Sequence, residues 1–138
     1  MAYPDQKYYA RPLQLWGSAV DMGLSVATTV ARTDAAVGIP KLIRKSQVNA
    51  IRLRVDTIPN ASATALVASF VNGTDTFGTV TLTTATADEF LDVTITSTAN
   101  AVIAADVQVT VNIAGTATAT DDVLGDYDIW AEVQEEFV

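Results

Sequence analysis

From Val48 onward, apolar and polar residues alternate in several stretches of the chain. In residues 48–57, Ile51, Leu53 and Val55 occupy every second position, with polar residues between them. Successive side chains of a β-strand point to opposite faces, so this spacing predicts a strand with one buried face. Comparable stretches are TALVASFV, TFGTVTLTT, EFLDVTITST, DVQVTVNIAG and GDYDIWAEVQEEF. Six strands are therefore predicted after Val48, with one or two more upstream.

Short stretches of sequence also predict one turn and the two faces of one strand. Asn72-Gly73 lies between two predicted strands, and both residue types tolerate a positive φ, so a β-hairpin is expected there. In TFGTVTLTT, the alternation places Phe77 on the face opposite to Val80 and Leu82. These patterns belong to antiparallel strands that have one apolar and one polar face.

Upstream of Val48 the alternation is poor. Irregular strands are expected around Leu24 to Ala31, and Pro40 then interrupts the chain. No stretch after Val48 has a helical period, which argues against parallel βαβ units. The predicted fold class is all-β: a single antiparallel β-sandwich, of jelly-roll or immunoglobulin-like type, that spans residues 17–138.

The first sixteen residues differ from the rest, because two Pro, three Tyr and one Trp fall within them. Pro cannot donate to a sheet ladder, so residues 1–16 are predicted to form an extended arm. Such an arm is either a frayed terminus or a segment that docks on a partner, since Tyr, Trp and Arg are enriched at interfaces.

Composition removes most kinds of chemistry. The 138 residues include neither Cys nor His, which excludes disulfides, thiolate metal sites, and the commonest general base and metal ligand. No apolar run approaches the roughly 20 residues of a transmembrane helix, and no signal peptide is recognised at the start. No glycine-rich phosphate loop precedes a predicted helix. We therefore expect a protein that is not an enzyme and needs no cofactor.

Charge is distributed unevenly along the chain. All eight basic residues lie before residue 55, whereas thirteen of the sixteen acidic residues follow it, and the net charge is −8. The basic residues of the stretch 41–54 are expected to form one positive patch. Three interpretations are open: neutralisation by acidic strands of the same fold, contact with an acidic partner protein, or contact with nucleic acid. Overall acidity argues against nucleic acid, because phosphate-driven binding needs a basic footprint.

An acidic stretch near the end of the chain raises the question of a cation site. Asp121, Asp122, Asp126 and Asp128 fall within eight residues, and hard cations prefer several oxygen ligands from one loop. The spacing is not that of an EF-hand, and Asp126 and Asp128 share a strand face. A solvated acidic edge is favoured over a metal site.

The arm YYARPLQLWG precedes a Cys-free domain, rich in Thr, Ala and Val, that contains AIRLRV, GTVTLTT, FLDVTITST and VQVTVNIAG. This layout resembles the head decoration (capsid cement) proteins of tailed bacteriophages over most of the chain. The resemblance implies a non-enzymatic virion protein that is made in the host cytoplasm and docks on the capsid surface. Its implied partners are the major capsid protein and copies of itself, a homotrimer being favoured, with no nucleic acid and no membrane.

The resemblance also suggests where the partner contacts lie. The arm and the positive patch would face the partner, while the acidic C-terminal sheet faces solvent. On this hypothesis, replacing Arg52 and Arg54 together by Glu leaves folding intact and abolishes docking. The candidate partner-binding residues are Tyr8, Tyr9, Arg11, Leu13, Leu15 and Trp16 in the arm, and Lys41, Arg44, Lys45, Arg52 and Arg54 in the patch.

Two other functional classes stay open. Tail-tube, baseplate and head-fibre proteins use similar sandwiches, and a tail-tube protein would form rings in isolation. A carbohydrate-binding sandwich is the second alternative. Such modules present exposed aromatic platforms, whereas here only Trp130 lies on a polar strand face.

Overall fold

A computed structural model describes residues 8–10, 13–21, 29–34, 39–57, 64–82, 86–116 and 125–136. These residues form eleven β-strands and contain no helix. Accordingly, no described helix is long and apolar enough to cross a membrane. The strands are β1 (Tyr8–Ala10), β2 (Gln14–Asp21), β3 (Thr29–Asp34), β4 (Ser46–Thr57), β5 (Thr64–Asn72), β6 (Asp75–Thr81), β7 (Phe90–Asp92), β8 (Thr94–Ile95), β9 (Val102–Ile103), β10 (Val109–Thr116) and β11 (Asp126–Glu136).

The strands form two antiparallel sheets that pack together, which confirms the predicted β-sandwich. Sheet I has the order β1-β11-β4-β7, with β2 also paired to β11 and β9 also paired to β4. Sheet II has the order β3-β10-β5-β6-β8. Strands β4 and β11 are thus central in sheet I, and each carries an apolar face toward sheet II.

One side of the sandwich is closed by a chain segment that passes from one sheet to the other. Strand β7 pairs with β4 in sheet I, and β8 follows it immediately but pairs with β6 in sheet II. Val93, which lies between β7 and β8, donates its N–H to the Ile51 carbonyl at 2.9 Å. The strands at the opposite edges of the two sheets are β1 and β2 in sheet I and β3 in sheet II.

The core follows the predicted alternation on the central strands. Ile51, Leu53 and Val55 on β4 have relative exposures of 1%, 0% and 0%. The inward faces of β10 and β11 are likewise buried, as their period of two predicted. Each such side chain contributes about 1.5–3 kcal/mol by leaving water. The inward residues of those two strands are Val109, Val111, Ile113, Tyr127, Ile129 and Ala131.

The predicted faces of β6 are wrong at one position. Phe77, Val80 and Leu82 are all buried, although strict alternation separates the first from the other two. Between β5 and β6 the pairing passes from Phe70↔Gly78 to Val71↔Thr76, which leaves Phe77 as an extra residue. Such a bulge re-aims a side chain, and here it brings the Phe77 ring within 6.3 Å of the Phe70 ring.

The predicted hairpin is present, with its turn displaced by one residue. Asn72 is the last residue of β5 and pairs with Asp75, so Gly73 and Thr74 form the turn. Gly73 has a φ of 66°. A positive φ at the first central position is a feature of the type II′ turn. The Asn72 amide instead donates to the carbonyls of Asn100 and Val102 at 3.0 and 3.1 Å, which ties the hairpin to the segment before β9.

The predicted arm is continuous with sheet I. Strand β1 pairs with the end of β11, and β2 pairs with its first half, so β2 crosses the predicted boundary between residues 16 and 17. The pairing passes from Ile129↔Gly17 to Trp130↔Leu15, which makes Trp16 a bulged residue. Because of this bulge, β2 lacks the strict alternation of apolar and polar residues by which a strand is recognised in a sequence. Of the strand expected at residues 24–31, only Thr29 to Ala31 are described, within β3.

Two glycines with positive φ provide a matched test of the fold. Gly125 precedes β11 with a φ of 95°, and a Cβ there would lie 2.5 Å from the Thr57 carbonyl oxygen. Gly73 has a φ of 66° with nothing within 4 Å of its Cβ position. We expect Gly73→Ala to cost about 1–2 kcal/mol of unfolding free energy through its φ alone. Gly125→Ala should cost about 2–5 kcal/mol, because steric overlap adds to the φ penalty.

Urea denaturation of both variants measures the difference. Equal losses of unfolding free energy would contradict the close packing of Gly125 against the end of β4.

Candidate functional site

The positive patch predicted from the sequence is divided into two parts in the structure. Arg52 belongs to the first part and points outward from β4, directly opposite Asp92 on β7. Its Nε and Nη2 donate to the two Asp92 carboxylate oxygens at 2.6 and 3.2 Å. The hydrogen bonds from Arg52 lower the pKa of Asp92. This two-point pair neutralises Arg52 within the fold.

Arg54, two residues further along the same face, lies among three carboxylates. Its guanidinium is 2.8 Å from Asp88, 3.3 Å from Asp56 and 3.5 Å from Asp128. The pKa of Asp56 is raised by burial and by the charge of the neighbouring Asp128, whereas Arg54 lowers it. Arg54 therefore offsets a repulsion that the fold itself creates.

Lys45 completes the neutralised part of the patch. Its Nζ lies 3.3 Å from a Glu136 carboxylate oxygen, and its carbonyl accepts a hydrogen bond from the Glu136 N–H at 2.9 Å. The interpretation of internal neutralisation thus describes Lys45, Arg52 and Arg54. The structure places these three cations in ion pairs of the fold, and their contact with a partner stays a prediction.

Lys41 and Arg44 form the second part and differ in their surroundings. Both are exposed, and neither forms an ion pair with any residue that the structure describes. Between them lies Ile43, whose relative exposure is 85%. An isolated exposed apolar residue is ordinary, but an Ile so exposed between two unpaired cations has the composition of a contact surface.

The segment that carries these residues, residues 39–45, is called the docking loop below. Its backbone carbonyls are held from several directions. The Trp16 indole N–H donates to the Pro40 carbonyl at 3.0 Å, and the Asp106 N–H donates to the Leu42 carbonyl at 2.8 Å. Further bonds hold its two ends: the Gln108 amide to the Ile39 carbonyl at 3.0 Å, and the Ser46 hydroxyl to the Arg44 carbonyl at 2.8 Å. The loop is therefore ordered before any partner arrives.

A cavity of about 160 Å³, lined by apolar side chains and also by Gln14 and Glu135, adjoins the docking loop. Its walls are residues 14–16 of β2, Pro40 and Leu42 of the loop, and the β11 residues Ala131, Val133 and Glu135. A cavity of about 150 Å³ with apolar walls can hold a benzene molecule, so this space suits one aromatic or branched side chain. The docking loop and this cavity form one continuous candidate site.

The arm residues predicted as partner contacts have different positions. Leu13 and Leu15 are 36% and 49% exposed, and Leu15 lines the cavity. Trp16 is 5% exposed and belongs to the core, where it forms part of the cavity wall, and its contact with a partner stays a prediction. The backbones of Tyr8 and Tyr9 pair with Glu136 and Glu135 of β11. Arg11 lies outside the described residues.

One further exposed apolar residue escaped the sequence analysis. Phe90 at the start of β7 is 56% exposed and pairs with Arg54. The alternation that places Leu91 on the apolar face implies that Phe90 points the other way, which is the signal that would have identified it. Ile43 had no such signal, because no periodic pattern covers residues 39–45.

The acidic stretch does not form a metal site within the described residues, where no group of three or more possible ligands occurs. Asp121 and Asp122 lie outside those residues. Asp128 contacts Arg54, as described above.

Comparisons with known proteins gave no relative for this chain. No protein-family model, no curated protein and no solved structure matches it.

Removal of Arg54 should destabilise the protein more than removal of Arg52. Arg54→Gln removes the cation beside three carboxylates, whereas Arg52→Gln removes the cation beside Asp92. Because the pKa of Asp56 is raised, its protonation stabilises the fold at low pH, and this contribution is lost as the pH rises through its folded-state pKa. The deficit of Arg54→Gln should therefore be largest at pH 7 and shrink toward pH 3.

Thermal melts of both variants between pH 3 and pH 7 provide the measurement. A deficit that is equal for the two variants, or that does not change with pH, would show that Arg54 does not offset carboxylate repulsion.

Proposed function

We propose that this protein is a non-enzymatic virion structural protein that binds the outside of an assembled bacteriophage capsid and cements neighbouring capsid subunits. Its partners would be the major capsid protein and copies of itself. The layout and composition of the chain support this proposal, as does a sandwich whose described residues carry a preformed contact surface. The observation that carries it is Ile43, 85% exposed on a hydrogen-bonded loop between two cations that form no ion pair with a described residue.

The energetics of the docking loop suit a binding role. Association costs free energy for every side chain or loop that becomes ordered. Five hydrogen bonds already fix the backbone of the loop, so little of the cost of ordering that backbone remains. Covering a fully exposed aliphatic side chain contributes about 1.5–3 kcal/mol, and the adjoining cavity offers further apolar area. A rigid loop with an apolar centre and charged flanks has the anatomy of an interface core and rim.

Cementing needs binding energy and no chemistry. A protein that binds only the assembled shell stabilises it by mass action, because disassembly must first release the bound copies. The net charge of −8 keeps free copies soluble and apart before they dock. The cations of the docking loop would then form a locally positive region, which an acidic surface can approach in spite of the negative net charge.

Shell binding provides the direct test. Purified protein should co-sediment with capsid shells that lack it and raise the temperature at which those shells disassemble. Ile43→Asp should weaken the binding about 10-fold to 100-fold, because the contribution of one buried aliphatic side chain is lost. Thr81→Asp, at the exposed end of β6 that is opposite to the hairpin turn, serves as the matched control and should bind as wild type does.

Absence of shell binding by the wild-type protein would contradict the proposed function. Equal binding by wild type and Ile43→Asp would leave a shell-binding protein whose contact surface lies elsewhere.

A further inference from the structure

The chain contains a second exposed surface that complements the docking loop. It is the segment 88–92, with the sequence DEFLD, called the acidic knob below. Its centre is Phe90, 56% exposed, and the side chains of Asp88 and Asp92 are 79% and 72% exposed. The docking loop has the inverse composition: in KLIRK, residues 41–45, an exposed Ile stands among basic residues.

The surroundings of Phe90 are negative even after the ion pairs are counted. The guanidinium groups near it are those of Arg52 and Arg54. Among the described residues, the four carboxylates of Asp56, Asp88, Glu89 and Asp92 outnumber these two cations. A surface that presents Phe90 therefore also presents negative charge.

The exposed tip of the docking loop carries positive charge, opposite to that of the acidic knob. Lys41 and Arg44 have no ion pair among the described residues, and Lys45 is paired with Glu136. The acidic groups nearby are Asp106, whose N–H holds the loop, and Glu135 in the cavity wall. The cations flank Ile43 at the solvent side, so an approaching acidic segment meets them first.

The size of the cavity beside the docking loop also suits the acidic knob. The cavity beside the loop measures about 160 Å³, comparable to the space of about 150 Å³ that accepts benzene. A phenyl ring is therefore an occupant of suitable size, and the apolar walls of Leu15, Pro40, Leu42 and Val133 suit it. Phe90 is the largest exposed aromatic side chain among the described residues with assigned burial.

We propose that the docking loop and its cavity bind the acidic knob of a second copy of this chain, with Phe90 of that copy in the cavity and its flanking carboxylates facing Lys41 and Arg44. This inference rests on the proposed function, which gives the docking loop a binding role. It selects a second copy as the partner of that loop. Contact with the capsid would then use other surfaces of the assembled copies, and Ile43→Asp would weaken shell binding because it separates those copies.

The two surfaces lie on different parts of the molecule, so the contact is head-to-tail. The cavity adjoins β2 at one edge of sheet I, and the acidic knob includes β7 at the other edge. Each copy therefore offers one loop and one knob. Contacts of this heterologous kind form a closed ring when the rotation between copies closes, and an open filament when it does not.

Two variants separate the two halves of the contact. Ile43→Asp disables the loop, and Phe90→Asp disables the knob; both positions are more than half exposed, so both variants should fold. Wild type should be oligomeric by light scattering, while each variant alone should be a monomer of 14.6 kDa. An equimolar mixture should form a one-to-one dimer, because the knob of the first variant still fits the loop of the second.

Several results would overturn this inference: a monomeric wild type at about 100 μM, a concentration well above that needed for micromolar affinity; single variants that remain oligomeric; or a mixture that stays monomeric. Such results together with intact shell binding by wild type would leave the proposed function standing and remove only the self-contact. Self-association without shell binding would support the self-contact and contradict the proposed function.

The fluorescence of Trp16 provides a second measurement that does not depend on mass. The chain has two Trp, so in a Trp130→Phe background only Trp16, in the cavity wall, reports. Titration of Ile43→Asp/Trp16→Phe/Trp130→Phe protein, which retains the knob but no Trp, into Phe90→Asp/Trp130→Phe protein should change the Trp16 emission with saturation. The same donor carrying Phe90→Asp should cause no change. A saturable signal from both donors would place the contact away from the knob.

Discussion

The antiparallel ladder between β4 and β11 is the constraint on which the other features of this protein depend. Ten residue pairs join these strands, and their inward faces bury the central apolar residues of sheet I. Because side chains alternate, burial of Ile51, Leu53 and Val55 forces Arg52 and Arg54 to the outer face. The docking loop ends where β4 begins, and Phe90 is held by pairing with Arg54.

The ladder also explains why some basic residues of the stretch 41–54 form ion pairs within the fold and others do not do so with any described residue. Residues on β4 have acidic neighbours across the sheet, so Arg52 and Arg54 are neutralised by Asp92, Asp88 and Asp128. Residues 39–44 lie outside the strands, and no described strand pairs with them. Exposed pairs of this kind contribute little stability individually, but they remove charge from a surface and so determine where a net attraction remains.

Sequence pattern was sufficient where the ladder is regular and failed where it is not. Period-two spacing predicted the faces of β4, β10 and β11, and the all-β sandwich followed from it. Bulges at Phe77 and Trp16 shift a residue inward, and a bulge is decided by the partner strand, which the sequence does not reveal. The ion pairs required the strand order for the same reason, and Ile43 lies in a loop without a period.

Hydrogen exchange measures most directly whether the docking loop is a preformed contact surface. Amide exchange should be compared in dilute and concentrated wild-type protein. We predict that residues 41–45 and 88–92 become protected together as concentration rises, while Gly73 and Thr74 in the hairpin turn do not change. Protection confined to other segments, or none at all, would contradict it.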